Sequence, residues 1–172
     1  MKRYFVNIKF LSLLILFAVL LGCTASDDSE ANSREIEAEE FRPFTIASFE
    51  GKAIDTAKMR GEVIVVNFWA SWCGPCKMEA KDLEAIYIKY RSKGVSFVGV
   101  AIDDTLENAR GFIERYQVTY PNAFDSDNRL AAEYEIFAVP TTYVIDREGW
   151  NTFTHRGAIS RSQLENAIKR VL

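Results

Sequence analysis

The sequence is poor in metal-binding side chains, with one His and three Cys among its 172 residues. A structural zinc site needs four such ligands, and Cys23 is far removed from Cys73, Cys76 and His155, so we expect no metal and no cofactor. Lys and Arg form no basic patch, and the formal charge is −3, which argues against a nucleic-acid partner. Apolar residues make up 48% of the chain, enough for one globular domain with a real core.

Long hydrophobic runs are also lacking, apart from residues 10–21, which follow three basic residues and no acid. As a helix this run of twelve residues would span roughly 18 Å, short of the ~30 Å hydrocarbon core of a bilayer. A permanent transmembrane helix is therefore the weaker interpretation. We interpret residues 1–22 as a signal peptide.

The apolar run ends at Leu20-Leu21-Gly22-Cys23, which resembles the lipobox of bacterial lipoproteins and implies lipid attachment at Cys23. The alternative is cleavage elsewhere, with Cys23 incidental, and Leu21 is a less usual residue before the small one. Seven acids and one Arg lie in residues 27–40. We therefore expect residues 23–40 to be an acidic flexible tether and residues 41–172 to be the folded domain.

Hydrophobic periodicity predicts an α/β arrangement, in which a central strand is covered on both faces. A small N-terminal hairpin is expected at the edge of the sheet, and 95–102 should run parallel to 63–69. The predicted strands are 45–47, 52–54, 63–69, 95–102, 141–145 and 150–155. The first predicted helix begins near residue 75, and the others cover 106–116, 130–134 and 161–172. Ser160 and Gln163 are expected to form a capping box at the start of the last helix.

Two cysteines three residues apart, Cys73 and Cys76, stand where the buried strand gives way to the first helix. Free N–H groups and the dipole at a helix N-terminus favour a thiolate, and Pro75 suits the first helical turn. The spacing lets one thiolate attack an external disulfide and the other resolve the mixed disulfide. A structural disulfide is the alternative, but so small a loop would add little stability.

Residues 65–77, VVNFWASWCGPCK, resemble the active-site segment of the thioredoxin superfamily, and the resemblance extends from Phe41 to the C-terminus. The chain is most similar to membrane-anchored, extracytoplasmic thiol-disulfide oxidoreductases of the TlpA/ResA/CcmG type. These share the N-terminal hairpin, an insert like residues 103–134, and an acid after the redox pair. The resemblance implies a thioredoxin-like fold, in which a central mixed β-sheet is flanked by helices, and a monomer. It also implies that Cys73 attacks and Cys76 resolves.

The resemblance also implies where substrate binds. Pro140 matches a cis-proline that faces the disulfide in this fold, leaving the backbone of Val139 free to pair with an extended substrate segment. Trp72, together with Gly74 and Pro75 between the cysteines, provides the exposed surface beside the nucleophile. Trp69 is implied to pack beneath it.

Asn67 stands where thioredoxin keeps a buried Asp, and an amide cannot take a proton there. Glu79 matches the acid that the related reductases carry after the second cysteine. We hypothesise that Glu79 accepts the proton of Cys76, with a pKa raised by partial burial and by a nearby thiolate. Alternatively, Glu79 is simply favoured by the helix dipole. Lys81 replaces a family proline, so a straighter helix is expected.

We expect the protein to reduce protein disulfides. The resemblance implies apocytochrome c as one candidate substrate and a DsbD/CcdA-type transporter as electron donor. The Gly-Pro dipeptide between the cysteines, shared with thioredoxin, favours a reductant. The alternatives are general periplasmic exchange or oxidation, a peroxiredoxin-like peroxidase, and a binding module without turnover. His155 is expected at an exposed strand end, and residues 125–128 are expected to form a turn rather than a calcium loop.

Overall fold

The computed structural model describes residues 39–172. The predicted signal peptide, the lipid attachment site at Cys23 and the tether up to residue 38 lie outside the described residues. Residues 39–172 form eight strands, β1 Glu39–Glu40, β2 Thr45–Ala47, β3 Ala53–Asp55, β4 Val63–Trp69, β5 Val95–Ala101, β6 Asn122–Phe124, β7 Thr141–Ile145 and β8 Trp150–Arg156. The same residues form four α-helices, α1 Gly74–Tyr90, α2 Leu106–Tyr116, α3 Arg129–Glu133 and α4 Arg161–Val171.

The main sheet has six strands in the order β1-β8-β7-β4-β5-β6. Strand β4 is parallel to β5, as predicted, and β5 is parallel to β6, whereas β7, β8 and β1 add in antiparallel fashion. Every residue of β4 is buried, because the sheet is covered on both faces. The predicted mixed sheet flanked by helices is confirmed.

Strand β4 divides its side chains between two apolar cores. Ile64, Val66 and Phe68 point into a core rich in aromatic rings, which includes Phe41, Phe44, Tyr134 and Tyr143. Val63 and Val65 point to the other face, where helices α1 and α4 pack. Because side chains alternate along a strand, Asn67 falls on this second face, close to the carboxyl end of β4.

The predicted N-terminal hairpin forms at the edge of the main sheet, as a two-stranded sheet of its own. Strands β2 and β3 lie beside the edge strand β6, and an isolated antiparallel bridge joins Ser48 to Ala123. Glu39 and Glu40, which the prediction assigned to the tether, instead pair with Asn151 and Trp150 of β8. Strand β6 was not predicted.

The helix termini follow from local chemistry. Ser160 and Gln163 form the predicted capping box of α4, and Thr105 caps α2 through its side chain. Helix α1 continues through Lys81 to Tyr90, and a short 3-10 turn leads to Gly94 at φ 80°. This left-handed conformation favours glycine.

Candidate active site

The redox pair lies where β4 ends and α1 begins. Cys73 and Cys76 form a disulfide with a Cα–Cα distance of 5.3 Å. Cys73 is also the N-cap of α1, since its Sγ accepts a hydrogen bond from the backbone N–H of Cys76 at 3.0 Å. Cys73 is 3% exposed and Cys76 is 2% exposed. The same N–H would stabilise a thiolate on Cys73 once the disulfide is reduced.

The segment before β7 faces the disulfide, as the resemblance implied. The Val139–Pro140 peptide bond is cis, and the carbonyl oxygen of Val139 lies 3.6 Å from Sγ of Cys73. The sulfur carries no hydrogen in the disulfide, so this approach is a contact rather than a hydrogen bond. Within residues 39–172, no acceptor pairs with the Val139 N–H.

The surface beside Cys73 is apolar and exposed. Trp72 is 58% exposed, and its indole N–H donates to the carbonyl of Asp103 at 2.8 Å. Gly74 and Pro75 are also exposed at the start of α1. Phe137, two residues before Val139, is 89% exposed. An exposed phenyl ring contributes little to stability, so these residues are suited to contact another molecule.

Trp69 packs beneath the disulfide, as expected. Its ring stacks on Phe112 with centroids 4.4 Å apart, and its indole N–H donates to Oδ1 of Asn122 at 2.9 Å. A Cβ atom at Gly99 would lie 1.8 Å from that oxygen. The close approach of β5 to Asn122 therefore requires glycine at position 99.

Glu79 is buried behind the disulfide, one helical turn after Cys76. One carboxylate oxygen accepts from the backbone N–H of Ile159 at 2.8 Å, and the other accepts from Nδ2 of Asn67 at 3.0 Å. Burial raises the pKa of Glu79 from its ordinary 4.5 to about 7, and the two hydrogen bonds oppose that rise. We expected Glu79 to be partly buried, and the structure shows it almost fully buried, with only 2% of its surface exposed. A nearby thiolate, which we also expected to raise the pKa of Glu79, does not contribute here because both sulfurs are part of the disulfide.

The structure thus brings the predicted cysteines, Trp72, the Val139–Pro140 segment and Glu79 to one end of the sheet. This end is formed by the carboxyl end of β4 and the residues that precede β7. The arrangement supplies a nucleophilic sulfur, a second sulfur, a buried acid and an open backbone segment, which together fit thiol-disulfide exchange.

Comparison with known proteins assigns the family. Residues 38–150 match the AhpC/TSA family. The chain belongs to this family. A relative is the thiol-disulfide oxidoreductase ResA of Bacillus thuringiensis subsp. konkukian, 30% identical over 128 residues that cover 74% of each chain.

Solved structures agree with this assignment. A thiol:disulfide interchange protein of the thioredoxin family from Chlorobium tepidum TLS superposes with a TM-score of 0.71 and 26% identity, covering 78% of this chain and 96% of that one. A secreted Mycobacterium tuberculosis disulfide oxidoreductase, homologous to E. coli DsbE, gives a TM-score of 0.68 and 25% identity, covering 74% and 95%. The fold is thioredoxin-like, and the chain is a protein thiol-disulfide oxidoreductase.

Several site residues were not predicted. Asp104 accepts hydrogen bonds from the backbone N–H and, at 2.9 Å, from the hydroxyl of Ser71, which holds the loop before Cys73. Thr142 and Ile159 reach the Glu79 site from β7 and from the loop before α4. In the sequence, the one feature that pointed to Asp104 was its position shortly after a buried strand.

His155 lies near the end of β8, as predicted, but it is half-buried rather than exposed. It lies opposite Thr142, and its ring stacks on Phe153. Its Nε2 lies 3.2 Å from the carbonyl oxygen of Ala158. That carbonyl belongs to the same peptide group whose N–H, on Ile159, donates to Glu79. His155 is therefore linked to Glu79 through one peptide group. Within residues 39–172, its hydrogen bonds do not include either sulfur of the redox pair.

Proposed function

We propose that this oxidoreductase reduces disulfides in other proteins outside the cytoplasmic membrane. The observation that carries the proposal is the Cys73–Cys76 disulfide at the start of α1, with a buried acid one turn further on. The relatives named as thiol-disulfide oxidoreductases support it. The chemistry needs only the two cysteines, protons and a partner disulfide.

In the first step, reduced Cys73 attacks one sulfur of the substrate disulfide. A bond forms between Sγ of Cys73 and that sulfur, the substrate S–S bond breaks, and the second substrate sulfur leaves as a thiolate. The N–H of Cys76 points at Sγ of Cys73 and stabilises the attacking thiolate.

In the second step, Cys76 resolves the mixed disulfide. Its thiol first loses a proton, for which Glu79 is the proposed acceptor, because it lies one turn away on the same helix. The Cys76 thiolate then attacks Sγ of Cys73, and the remaining substrate sulfur leaves as a thiolate. The enzyme ends as the disulfide, and the substrate has gained two electrons.

Substrate docks along the Val139–Pro140 segment. The Val139 N–H is without an acceptor in residues 39–172, and its carbonyl lies beside Cys73. An extended substrate strand could pair with this residue, which would align its disulfide with Sγ of Cys73. Trp72 and Phe137 extend the contact surface for apolar side chains next to the substrate cysteine.

The direction of electron flow rests on the dipeptide Gly74-Pro75. Thioredoxin carries the same pair and has a potential of about −270 mV, against about −120 mV for the strong oxidant DsbA. A reductant in an oxidising compartment needs a source of electrons, for which we propose a membrane transporter of the DsbD/CcdA type. Apocytochrome c with oxidised haem-site cysteines is the proposed substrate.

The proposed location rests on the leader and on a relative. The sequence before the domain has the features of a lipoprotein signal, and one structural relative is a secreted protein. No helix within residues 39–172 is long and apolar enough to cross a membrane. We propose lipid attachment at Cys23, which labelling with radioactive palmitate would detect in the wild type and which Cys23→Ala would abolish.

Trapping tests the substrate proposal. Cys76→Ser leaves Cys73 able to attack but removes the resolving thiol, so substrates should accumulate as mixed disulfides. Cells expressing this full-length variant should yield disulfide-linked proteins that are absent with Cys73→Ser. Identification of apocytochrome c among them supports the cytochrome role, and its absence limits the role to general disulfide exchange.

A redox titration against glutathione tests the direction. A potential near that of thioredoxin supports a reductant, and a value near that of DsbA reverses the assignment to oxidase. Consumption of hydrogen peroxide at a rate above that of insulin reduction would favour a peroxidase. Full biological activity of Cys73→Ser would favour a binding module instead.

A further inference from the structure

Asn67 makes two hydrogen bonds that the redox chemistry alone does not require. It lies on central strand β4 and is buried. Its Nδ2 donates to Oε1 of Glu79 at 3.0 Å and to Oγ1 of Thr142 at 3.0 Å. Both hydrogens of the amide nitrogen are thus used, and the orientation of the amide group is fixed by a helix on one side and a strand on the other.

The groups around Glu79 present hydrogens to both of its oxygens. The amide of Asn67 points at one oxygen and the backbone N–H of Ile159 at the other. Neither nitrogen can accept a proton. This arrangement fixes the plane of the carboxylate and leaves one lone pair on each oxygen for an incoming proton.

We propose that Asn67 is a positioning residue for proton transfer, which holds the carboxylate of Glu79 in place to receive the proton of Cys76. This inference rests on the role of Glu79 proposed above. Thr142 completes the assembly, because it fixes the other hydrogen of the same amide. Thr142 stands two residues after Pro140, so the assembly is joined directly to the segment at which substrate docks.

The hydrogen-bond pattern also explains why residue 67 is an amide. A carboxylate at this position would face the carboxylate of Glu79 with no hydrogen between them, and one of the two acids would stay protonated. An aliphatic side chain would leave a buried oxygen of Glu79 without its donor. Asn supplies the donor and carries no charge.

A reciprocal exchange preserves every hydrogen bond. In Asn67→Asp/Glu79→Gln, the new amide of residue 79 can donate to the new carboxylate of residue 67, and its oxygen can still accept from the N–H of Ile159. The hydroxyl of Thr142 can donate to the carboxylate of residue 67. The acid then lies on the strand instead of the helix, still between the same partners.

Three titratable groups face Glu79 from the elements around it. Cys76 lies on the same helix, Tyr120 precedes β6, and His155 lies on β8 behind the Ala158–Ile159 peptide group. Burial raises the pKa of Tyr120, and the charges of Glu79 and Glu84 raise it further, so this phenol stays neutral. Because His155 is linked to Glu79 through the Ala158–Ile159 peptide group, the key measurements should be repeated in a His155→Gln background.

The first experiment measures Glu79 itself in the oxidised full-length protein, where neither Cys73 nor Cys76 can titrate. Carbon-13 NMR of the glutamate carboxyl carbons, assigned by the signal missing in Glu79→Gln, gives the pH midpoint of Glu79. The wild type should titrate near pH 7. Asn67→Leu should raise the midpoint by about one pH unit or more, because a donor to the carboxylate is lost.

Asn122→Leu is the matched control. Asn122 is a buried amide in the same sheet, but its partners are Trp69 and the carbonyl of Tyr120 rather than Glu79. Loss of this amide should leave the Glu79 midpoint unchanged even if the fold is destabilised. An equal shift in the control and in Asn67→Leu would reduce Asn67 to a structural role and overturn the proposal.

The second experiment measures insulin reduction against pH, with Cys23→Ser in every variant so that only the redox pair reacts. Asn67→Leu should lower the rate at pH 7 by about tenfold and move the profile upward. Asn67→Asp/Glu79→Gln should react faster than Glu79→Gln alone. A double variant no faster than Glu79→Gln would contradict the proposal.

The two experiments separate failure of the positioning role from failure of the proposed function. If the wild type does not reduce insulin, the reductase assignment fails, but the NMR midpoints still test the contact between Asn67 and Glu79. If insulin is reduced and Asn67→Leu keeps both the wild-type midpoint and the wild-type profile, the function stands and the positioning role falls.

Discussion

Helix α1 buries two carboxylates five residues apart, and the two halves of the helix use them differently. In the first half, Glu79 accepts hydrogen bonds from two separate elements, one turn after a redox sulfur. In the second half, both oxygens of Glu84 accept from a single residue, through the backbone N–H and the hydroxyl of Thr119. Glu84 therefore fixes the loop between α2 and β6 to the helix.

The comparison shows that burial of an acid does not by itself indicate catalysis. Glu84 satisfies a loop backbone and has no sulfur one turn before it. Around Glu84, the residues Leu83, Ile86 and Tyr90 fill the core beneath helices α1 and α4. We infer that the first half of α1 serves the chemistry and that the second half holds the fold together. The predictions below test this division.

The largest expected effect is on activity, from the first half of the helix. Cys73→Ser should reduce the rate of insulin reduction to that of the reductant alone, because Cys73 is the sulfur in contact with the Val139–Pro140 segment at which substrate docks. The turbidity of precipitating insulin chains measures the rate. Residual turnover above the background would mean that the helix start does not carry the reaction.

The next effect is on stability, from the second half. Leu83→Ala should lower the free energy of unfolding by about 2–5 kcal/mol, since a fully buried side chain is replaced by a cavity. Denaturant unfolding of the oxidised protein followed by circular dichroism measures it. The remaining folded fraction should keep wild-type activity per molecule. If Leu83→Ala is fully folded but less active than the wild type, the second half of α1 also serves the chemistry, and the proposed division is wrong.

Stability should also depend on pH through Glu79. Its pKa is raised in the folded protein from 4.5 to about 7, so the folded state binds more protons than the unfolded state between these values. The stability that this group contributes is present in full below about pH 4.5 and is lost as the pH rises through about 7. The expected loss in the oxidised protein is about 3 kcal/mol at most.

Unfolding curves recorded from pH 5 to 8 isolate this contribution. Glu79→Gln cannot ionise, so the difference in stability between the wild type and this variant should change in favour of the variant as the pH rises. Glu84→Gln should instead keep the wild-type pH dependence attributed to Glu79. A constant difference between the wild type and Glu79→Gln would show that Glu79 is not shifted.

The two glutamates should also differ in kinetics. Glu79→Gln should slow the resolution of the mixed disulfide by about 10²-fold near neutral pH, because a general base is lost. Rapid-quench alkylation of the mixed disulfide with a substrate protein measures this step.

Glu84→Gln is the matched control, with the same substitution on the same helix. It should change the rate by less than about threefold while costing about 1–3 kcal/mol of stability, because a buried donor loses its acceptor. Equal slowing in both variants would mean that any buried acid on α1 supports the rate indirectly.

Local patterns were sufficient to predict the main elements and the redox pair. Three features depend only on neighbouring residues, so the sequence shows them directly. They are the apolar run of β4, interrupted only by Asn67, the spacing of Cys73 and Cys76, and the capping box of Ser160 and Gln163. The cis-proline was predictable only by resemblance. The location of Glu79 behind the disulfide was expected in outline, and the structure adds its complete burial.

The remaining features depend on contacts between distant segments. Asn67 meets Thr142 only because β4 and β7 pair in one register, and Ile159 reaches Glu79 from a loop 80 residues away. Strand β6 has three residues, too few for a periodic pattern, and it forms because β5 is available as a parallel partner. Strand β1 is stabilised by pairing with β8, which local sequence does not reveal.

The pairing of β1 with β8 also determines where the chain enters the domain. Glu39 and Glu40 pair at the beginning of β8, level with the start of β4, whereas the disulfide follows the end of β4. The chain thus enters the domain at one pole and carries its reactive sulfurs at the other, about 20 Å away for a strand of this length. A large folded partner can therefore approach the sulfurs without contacting the point at which the chain enters the domain.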